Sequence, residues 1–147
     1  MEYDLVIDFK GTGRFRERLL RQGYSDRAID YYLNKPYMGT LADADLSTEL
    51  TGDCGDTMKI TMKMDQGKIA DVRFEVDGCP GSVSSAMALV DIIKGKTLDE
   101  AYLVKDSEVF FRLEAIPDEK VHCIQLAVKS LQNVIDQYRQ NAEHSGS

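Results

Sequence analysis

The sequence predicts an α+β fold in which a small antiparallel sheet, about three strands wide, is covered on one face by helices. In the middle of the chain, two stretches alternate apolar and polar residues on either side of a turn at Asp65-Gln66-Gly67-Lys68. Such alternation around a glycine-containing turn is typical of a β-hairpin with one buried face. The second half instead repeats apolar residues at steps of three and four, which indicates amphipathic helices.

The first part of the chain is mixed in character, and we treat residues 1–23 as an N-terminal extension. The apolar residues of the segment 5–9 fit either a short strand or the first turn of a helix. They are Leu5, Val6, Ile7 and Phe9. A local basic concentration follows, comprising Lys10, Arg14, Arg16, Arg18 and Arg21. It predicts a solvated helix face, with a docking patch for a partner as the alternative.

Helix and strand signals then follow in order. Ser25 is suited to cap the N-terminus of a short helix, which the Asn34-Lys35-Pro36 sequence ends. A further strand is expected near residues 46–50, ahead of the hairpin. The predicted buried face of the hairpin comprises Met58, Ile60, Met62 and Met64, then Ala70, Val72, Phe74 and Val76. We interpret these methionines as core residues rather than as a metal-binding stripe.

Helices are predicted to fill the rest of the chain. The first ends at Gly95, and its apolar face comprises Val83, Met87, Val90 and Ile93. Thr97 and Glu100 fit a capping box for the next helix, and a short helix is expected over 108–114. Pro117 and Asp118 then open a long helix. Its apolar seam comprises Val121, Ile124, Val128, Leu131, Ile135 and Tyr138. Residues 141–147 are polar and predict a flexible tail.

The composition limits the classes of function. The chain has 147 residues, which fits one domain, and its net charge is −7. An acidic surface disfavours broad binding to nucleic acids or to anionic membranes. No apolar run approaches the roughly 18–20 residues of a bilayer span. The first residues also lack the basic start and apolar region of a signal peptide. We therefore expect a soluble, cytoplasmic protein.

The three cysteines, Cys54, Cys79 and Cys123, each lie at the edge of a predicted element. Asp56 follows the first by two residues, and His122 directly precedes the third. Three thiols with a carboxylate and an imidazole predict a site for a soft metal with a mixed set of ligands. The alternative is three unrelated core cysteines, because free cysteine is often buried. No C-x-x-C pair is present, so a zinc ribbon or a thioredoxin-type motif is not supported.

Two of these positions have properties that follow from local geometry. Cys79 precedes Pro80, which suits the first position of a helix. A thiol at a helix N-terminus is expected to have a lowered pKa, because the dipole and free N–H groups stabilise the thiolate. His122 and Cys123 are neighbours in the last helix, so their side chains are expected to point about 100° apart. That divergence predicts poor geometry for a Cys–His nucleophilic dyad, but it lets one group bind a metal while the other lies beside the site.

An ordered set of motifs spans most of the chain. It comprises Tyr24 to Tyr32, Pro36, Gly39, Cys54-Gly55-Asp56-Thr57-Met58-Lys59, Gly67-Lys68-Ile69, Gly78-Cys79, Ser84-Ser85, Lys94-Gly95-Lys96-Thr97-Leu98 and Lys120-Val121-His122-Cys123. In this order the sequence resembles the IscU/NifU-type family of iron–sulfur cluster scaffold proteins. The resemblance implies an IscU/NifU-like scaffold domain over residues 24–140, without the additional cluster domain of longer NifU proteins.

The resemblance also implies roles for the candidate residues. The three cysteines would hold a transient [2Fe–2S] cluster, and Asp56 or His122 would complete the coordination. Cys123 would accept persulfide sulfur from a cysteine desulfurase, and Asp56 would promote cluster turnover. Such a scaffold passes its cluster to apo-proteins, is not an enzyme, and is expected to be a monomer or a weak homo-oligomer. The same ligands would explain zinc in the isolated protein.

Two departures from the family pattern bear on partners and on the site. The family's chaperone-recognition segment, Leu-Pro-Pro-Val-Lys, aligns with Ile116-Pro117-Asp118-Glu119-Lys120, whose acidic residues argue against recognition by a specialised Hsp70-type chaperone. In Cys79-Pro80-Gly81-Ser82, proline stands where a small residue usually follows the cysteine.

Two other functions are open. One is a zinc-bound persulfide acceptor that relays sulfur for a cysteine desulfurase. Relatives of that kind carry an insertion between the second and third cysteines, and none is obvious between Cys79 and Cys123. The other is an interaction protein with a structural zinc.

Overall fold

Three antiparallel strands form one sheet in the order β1-β2-β3. The structure, a computed structural model, describes residues 9–53 and 55–146. The strands are β1 (Leu46–Thr51), β2 (Thr57–Asp65) and β3 (Lys68–Asp77). Gln66 and Gly67 turn the hairpin with φ angles of 53° and 79°, as a tight turn between twisted antiparallel strands requires. The predicted α+β class and hairpin are therefore confirmed.

The alternation in the hairpin sequence places one face of the sheet in the core. Ile60 of β2 pairs with Phe74 of β3, and both side chains are fully buried. Met58 and Met62 lie on the same buried face, which confirms that these methionines are core residues. A register shift between Lys63 and Met64 leaves Ala70 without a paired residue before pairing resumes toward the turn. The prediction that Ala70 lies on the buried face was wrong for this reason: Ala70 is exposed, and Ile69 is buried in its place.

Six α-helices and one short 3-10 helix lie among the described residues. The helices are α1 (Phe9–Gln22), α2 (Asp26–Asn34), α3 (Pro80–Ile93), α4 (Leu98–Tyr102), α5 (Asp106–Leu113) and α6 (Val121–Gly146), with the 3-10 helix at Asp118–Lys120. None of the described helices is long and apolar enough to cross a membrane.

Helix α3 lies at the centre of the packing. It contacts α2, α5, α6 and strand β3, and every residue from Gly81 to Val90 is buried. A helix that is enclosed in this way must satisfy its polar side chains internally. Ser84 donates a hydrogen bond to the Ala28 carbonyl, and Ser85 donates one to the Gly81 carbonyl, each at 2.7 Å. The N-terminus of α3 is therefore held firmly by the core.

Two of the predicted helix caps are confirmed by the structure. The Ser25 hydroxyl accepts a hydrogen bond from the Ala28 amide at 3.0 Å and so caps α2. Thr97 and Glu100 form the expected capping box of α4.

The start of the last helix differs from the sequence expectation. Pro117 and Asp118 lead into the 3-10 helix, so that the α-helical geometry of α6 begins only at Val121. At the other end, α6 continues to Gly146. That residues 141–147 form a flexible tail stays a prediction.

The N-terminal extension contains a helix that packs on the domain. Residues 1–8 lie outside the described residues, and α1 begins at Phe9. Leu19 is only 2% exposed, and the ring of Phe15 lies 5.8 Å from that of Tyr32. Arg16 pairs with Asp26 at 2.9 Å and with Asp30 at 2.6 Å.

One member of the basic concentration therefore anchors α1 to α2. The side chains of Arg14, Arg18 and Arg21 are exposed, as expected for a solvated helix face. Partner docking at this face remains a prediction.

We expect Leu19→Ala to loosen α1 and to lower the free energy of unfolding by about 2 kcal/mol, the lower end for a buried leucine because α1 is at the edge of the fold. Urea unfolding and trypsin cleavage at the arginines of α1 would measure both effects. Leu20→Ala is a matched control, because the neighbouring side chain is 42% exposed and should change stability by less than about 0.5 kcal/mol. Equal effects of the two substitutions would contradict the observed docking of α1.

Candidate metal site

Helices α3 and α6 bring two of the three thiols together. Cys79 is the N-cap residue of α3, directly after the turn that leaves β3, and Cys123 lies in the first turn of α6. The two Sγ atoms are 3.5 Å apart although 44 positions separate the residues in the chain. Asp56 joins them from the loop before β2, and the potential ligand atoms of these three residues all lie within 4.8 Å of one another. This mutual proximity fits a single metal ion or a small cluster.

Cys54 lies outside the described residues. Its predicted part in the metal site therefore stays a prediction. Its neighbour Gly55 has a φ of 92°, a backbone conformation that favours glycine.

The pKa values of the two neighbouring thiols are shifted in opposite directions. A hydrogen bond from Cys123 lowers the pKa of Cys79 to about 5, against the cost of burial and with help from the Ser82 amide and hydroxyl and from the charge of Lys120. The same interaction, together with burial, raises the pKa of Cys123. In the metal-free protein the pair is thus a Cys79 thiolate that accepts from a Cys123 thiol. The sequence predicted the lowered pKa of Cys79 from its helix N-terminus, but the largest cause is the second thiol.

Asp56 is held in place by two neighbouring residues. The Ser82 hydroxyl donates a hydrogen bond to Asp56 Oδ2 at 2.5 Å and lies 3.8 Å from Cys79 Sγ. Gly78 also lies close to the carboxylate, since an added Cβ there would come within 2.6 Å of Asp56 Cγ. The carboxylate therefore has a defined position beside the sulfurs.

His122 contacts the site from its rim. The histidine is exposed, and its Nε2 atom lies 3.7 Å from Cys123 Sγ. The long imidazole side chain thus reaches the sulfur despite the angular separation along the helix. Poor geometry for a Cys–His nucleophilic dyad stays a prediction. His122 is not in the group of mutually close ligand atoms, which among the described residues comprises Asp56 and the two cysteines. It also lines a cleft of about 530 Å³ with Asp53, Gln125 and Lys129.

Two residues near the thiols were not among the predicted site residues. Ser82 is fully buried and contacts both Asp56 and Cys79. Tyr24 is 3% exposed, and the Gly81 amide hydrogen-bonds its hydroxyl. Burial and the nearby Cys79 raise the pKa of Tyr24, so that the phenol stays protonated. A serine three positions after Cys79 is a weak sequence signal, since hydroxyls are common near helix N-termini.

The lowered pKa of Cys79 predicts how its alkylation depends on pH. In the metal-free protein the thiolate persists above its pKa of about 5, so the iodoacetamide rate at Cys79 should be nearly flat from about pH 6 to 8. An ordinary cysteine would react about tenfold faster per pH unit over this range. Peptide mass spectrometry would give the rate. Cys123→Ala removes the donor and should move the rise in rate to higher pH; a steep rise in the unchanged protein would contradict the hydrogen bond.

Comparison with known proteins agrees with the fold. A family model, the NifU-like N terminal domain, matches residues 23–145. The iron-sulfur cluster assembly scaffold protein IscU of Escherichia coli (strain K12) is 34% identical over 125 residues, which cover 82% of this chain and 97% of that protein. The mitochondrial iron sulfur cluster assembly protein 1 of Debaryomyces hansenii is 34% identical over 122 residues, covering 79% and 68% of the two chains.

The fold itself is shared with a solved structure. The N-terminal part of a NifU-like protein from Brucella abortus aligns with a TM-score of 0.65, covering 83% of this chain and 98% of that chain. Identity is 20%, so this likeness concerns the fold alone. Helix α1 ends at Gln22, just before the residues that the family model matches. From residue 23 onward, the chain belongs to the IscU/NifU-type family, the family of NifU-like N-terminal domains.

Proposed function

We propose that this protein is a scaffold on which iron and desulfurase-derived sulfur are assembled into a transient [2Fe–2S] cluster for transfer to apo-proteins. The observation that supports the proposal best is the convergence of Cys79, Cys123 and Asp56 within 4.8 Å. Family membership adds weight, because the E. coli relative is named as such a scaffold. The cluster is cargo, and the protein acts on it as a carrier rather than as an enzyme.

The donor set suits cargo that must be released. Thiolates bind iron of iron–sulfur clusters strongly, whereas a carboxylate oxygen is a harder and weaker partner for it. Cys54, Cys79 and Cys123 supply the sulfur ligands in this proposal. Asp56 supplies the fourth and most labile ligand, because it lies with the two described sulfurs. His122 at the rim is the reserve ligand when Asp56 is displaced.

Cys123 is the proposed acceptor of persulfide sulfur. Its side chain is fully buried, so sulfur transfer requires that its cover opens. Gly81 is part of that cover, since a Cβ added there would lie 3.4 Å from Cys123 Sγ and 3.2 Å from Lys120 Cβ. A persulfide on Cys123 would then lie beside Cys79, 3.5 Å away, ready for iron. Free thiols of this kind persist in a reducing compartment such as the cytoplasm that the sequence predicts.

The proposed partners are a cysteine desulfurase and apo iron–sulfur proteins. Delivery does not use a specialised Hsp70-type chaperone in this proposal, because Asp118 and Glu119 present exposed acidic side chains where the family's recognition segment has apolar ones. They also lie in the 3-10 helix.

Anaerobic reconstitution with ferrous iron, cysteine, a cysteine desulfurase and dithiothreitol, which supplies the electrons that reduce persulfide sulfur to sulfide, tests the proposal. We expect a visible cluster absorption that passes to an apo-ferredoxin. Zinc that stays bound and is displaced neither by iron nor by the desulfurase would overturn the scaffold function. A persulfide that forms on the zinc-loaded protein without any cluster would instead support the sulfur-relay alternative, for which Cys79, Cys123 and Asp56 would supply zinc ligands.

A further inference from the structure

Ser82 is the buried polar residue that touches both kinds of ligand at the site. Its hydroxyl is fully enclosed, lies 2.5 Å from Asp56 Oδ2 and is 3.8 Å from Cys79 Sγ. Two other buried serines follow on α3, Ser84 and Ser85, and both donate to backbone carbonyls. Ser82 therefore differs from its neighbours in directing its hydroxyl to a candidate ligand.

The position of Ser82 is fixed independently of Asp56. It lies in the first turn of α3, where its amide donates to the Cys79 carbonyl at 3.0 Å. Helix α3 is enclosed by the core along its length. Asp56, in contrast, lies in the irregular segment between β1 and β2. A rigid donor on a loop carboxylate restricts rotation of the carboxylate, and so sets the direction in which its oxygens face the sulfurs.

Gly78 also borders the carboxylate. A Cβ at that position would lie 2.6 Å from Asp56 Cγ and 2.7 Å from Asp56 Oδ2, the oxygen that accepts from Ser82. Contacts this short would force the carboxylate out of the position in which it accepts that hydrogen bond. The glycine thus leaves the room in which the Ser82–Asp56 hydrogen bond forms.

We infer that Ser82 is a positioning residue that orients Asp56 as a metal ligand, with Gly78 providing the space. The inference rests on the proposed function, since it assumes that Asp56 binds the metal. Hydrogen-bond partners of ligating carboxylates typically change metal affinity by about 10- to 100-fold when removed. Ser82 acts through Asp56, so its effect should vanish when Asp56 is absent.

The test measures the affinity of the metal-free protein for Co²⁺, whose bands in thiolate sites report the ligand set. We expect Ser82→Ala to weaken Co²⁺ binding by at least about tenfold in the wild-type background, and to change it by less than about twofold in an Asp56→Ala background. Ser82→Thr, which keeps the hydroxyl, should restore most of the affinity. Ser84→Ala is the matched control: it removes a buried serine hydroxyl from the same helix, bonded to Ala28, and should leave Co²⁺ affinity unchanged.

Gly78→Ala gives a second test that leaves Ser82 intact. The added methyl group should displace Asp56 and weaken Co²⁺ binding, again only when Asp56 is present. Thermal unfolding of each metal-free variant separates loss of the fold from loss of the ligand.

Three results would overturn the inference. Equal losses with and without Asp56 would show that Ser82 acts on Cys79 or on the fold. Unchanged affinity in both Ser82→Ala and Gly78→Ala would show that Asp56 needs no positioning. A wild-type protein that binds no Co²⁺ at all would overturn the proposed function, and the inference with it.

Discussion

Replacing Cys79 or Cys123 by serine is expected to abolish assembly of the cluster under anaerobic reconstitution. Serine has nearly the same shape, but its hydroxyl oxygen is a poor ligand for iron–sulfur iron and stays protonated at neutral pH. Each substitution also removes one sulfur from a pair separated by 3.5 Å, so that the remaining thiol lies beside a hydroxyl. The same result is expected for Cys54→Ser, from the family resemblance rather than from geometry.

Visible absorption and iron and sulfide analysis would measure this loss, and the controls separate chemistry from folding. Cys123 is fully buried, so serine there also introduces a buried hydroxyl. Cys123→Ala avoids that cost and should lose the cluster equally. Ser130→Ala, farther along α6, removes a buried hydroxyl without a hydrogen-bond partner among the described residues and should assemble normally. A Cys79→Ser or Cys123→Ala protein that builds a cluster of normal yield would remove that residue from the ligand set.

The cysteines illustrate how far the sequence could define the site. Pro80 placed Cys79 at a helix N-terminus, and the structure confirms the N-cap position. The short distance between the sulfurs of Cys79 and Cys123 could not be predicted from a local pattern. It depends on how α3 packs against α6, and the two residues are 44 positions apart in the sequence. The family resemblance predicted that the two cysteines belong to one site, and the packing of the core explains why they lie together.

The missed contacts have the same physical origin. Whether Ser82 donates to its own helix or to Asp56 depends on a loop that reaches the helix from the sheet. His122 was expected to diverge from Cys123, but the angle between Cβ vectors does not fix where a flexible side chain ends.

The elements themselves were predictable because each has a local cause. The hairpin follows from period-two alternation and a glycine turn, and α2 and α4 begin at the expected caps. The packing of the N-terminal helix on the rest of the domain was not predictable in this way. Helix α1 is held by the burial of Leu19 and by the ion pairs of Arg16 with α2, and ion pairs between two helices leave no periodic signal in one sequence.

Asp56→Ala is expected to lengthen the lifetime of the assembled cluster and to slow its transfer to an apo-ferredoxin. The carboxylate provides the weakest of the ligand bonds in the proposed site, and this is where an incoming thiolate of the acceptor would enter. With alanine at position 56, His122 is the candidate to replace it, since its Nε2 atom already lies 3.7 Å from Cys123 Sγ. If the bond from His122 to iron is stronger than the bond from Asp56 by about 1.4 kcal/mol, release of the cluster should slow roughly tenfold.

The decay of visible absorption and the transfer rate would be measured for Asp56→Ala beside a matched control, Asp53→Ala. Asp53 is an exposed carboxylate of the same loop and lies outside the group of mutually close ligand atoms. Asp53→Ala should therefore leave both the decay rate and the transfer rate of the cluster unchanged. If His122 replaces Asp56, nitrogen ligation should appear in the electron paramagnetic resonance of the reduced cluster, and adding His122→Ala should cancel the longer lifetime. Faster cluster loss in Asp56→Ala would mean that the carboxylate retains the cargo rather than releasing it, because the remaining thiolates alone would then be insufficient to hold the cluster.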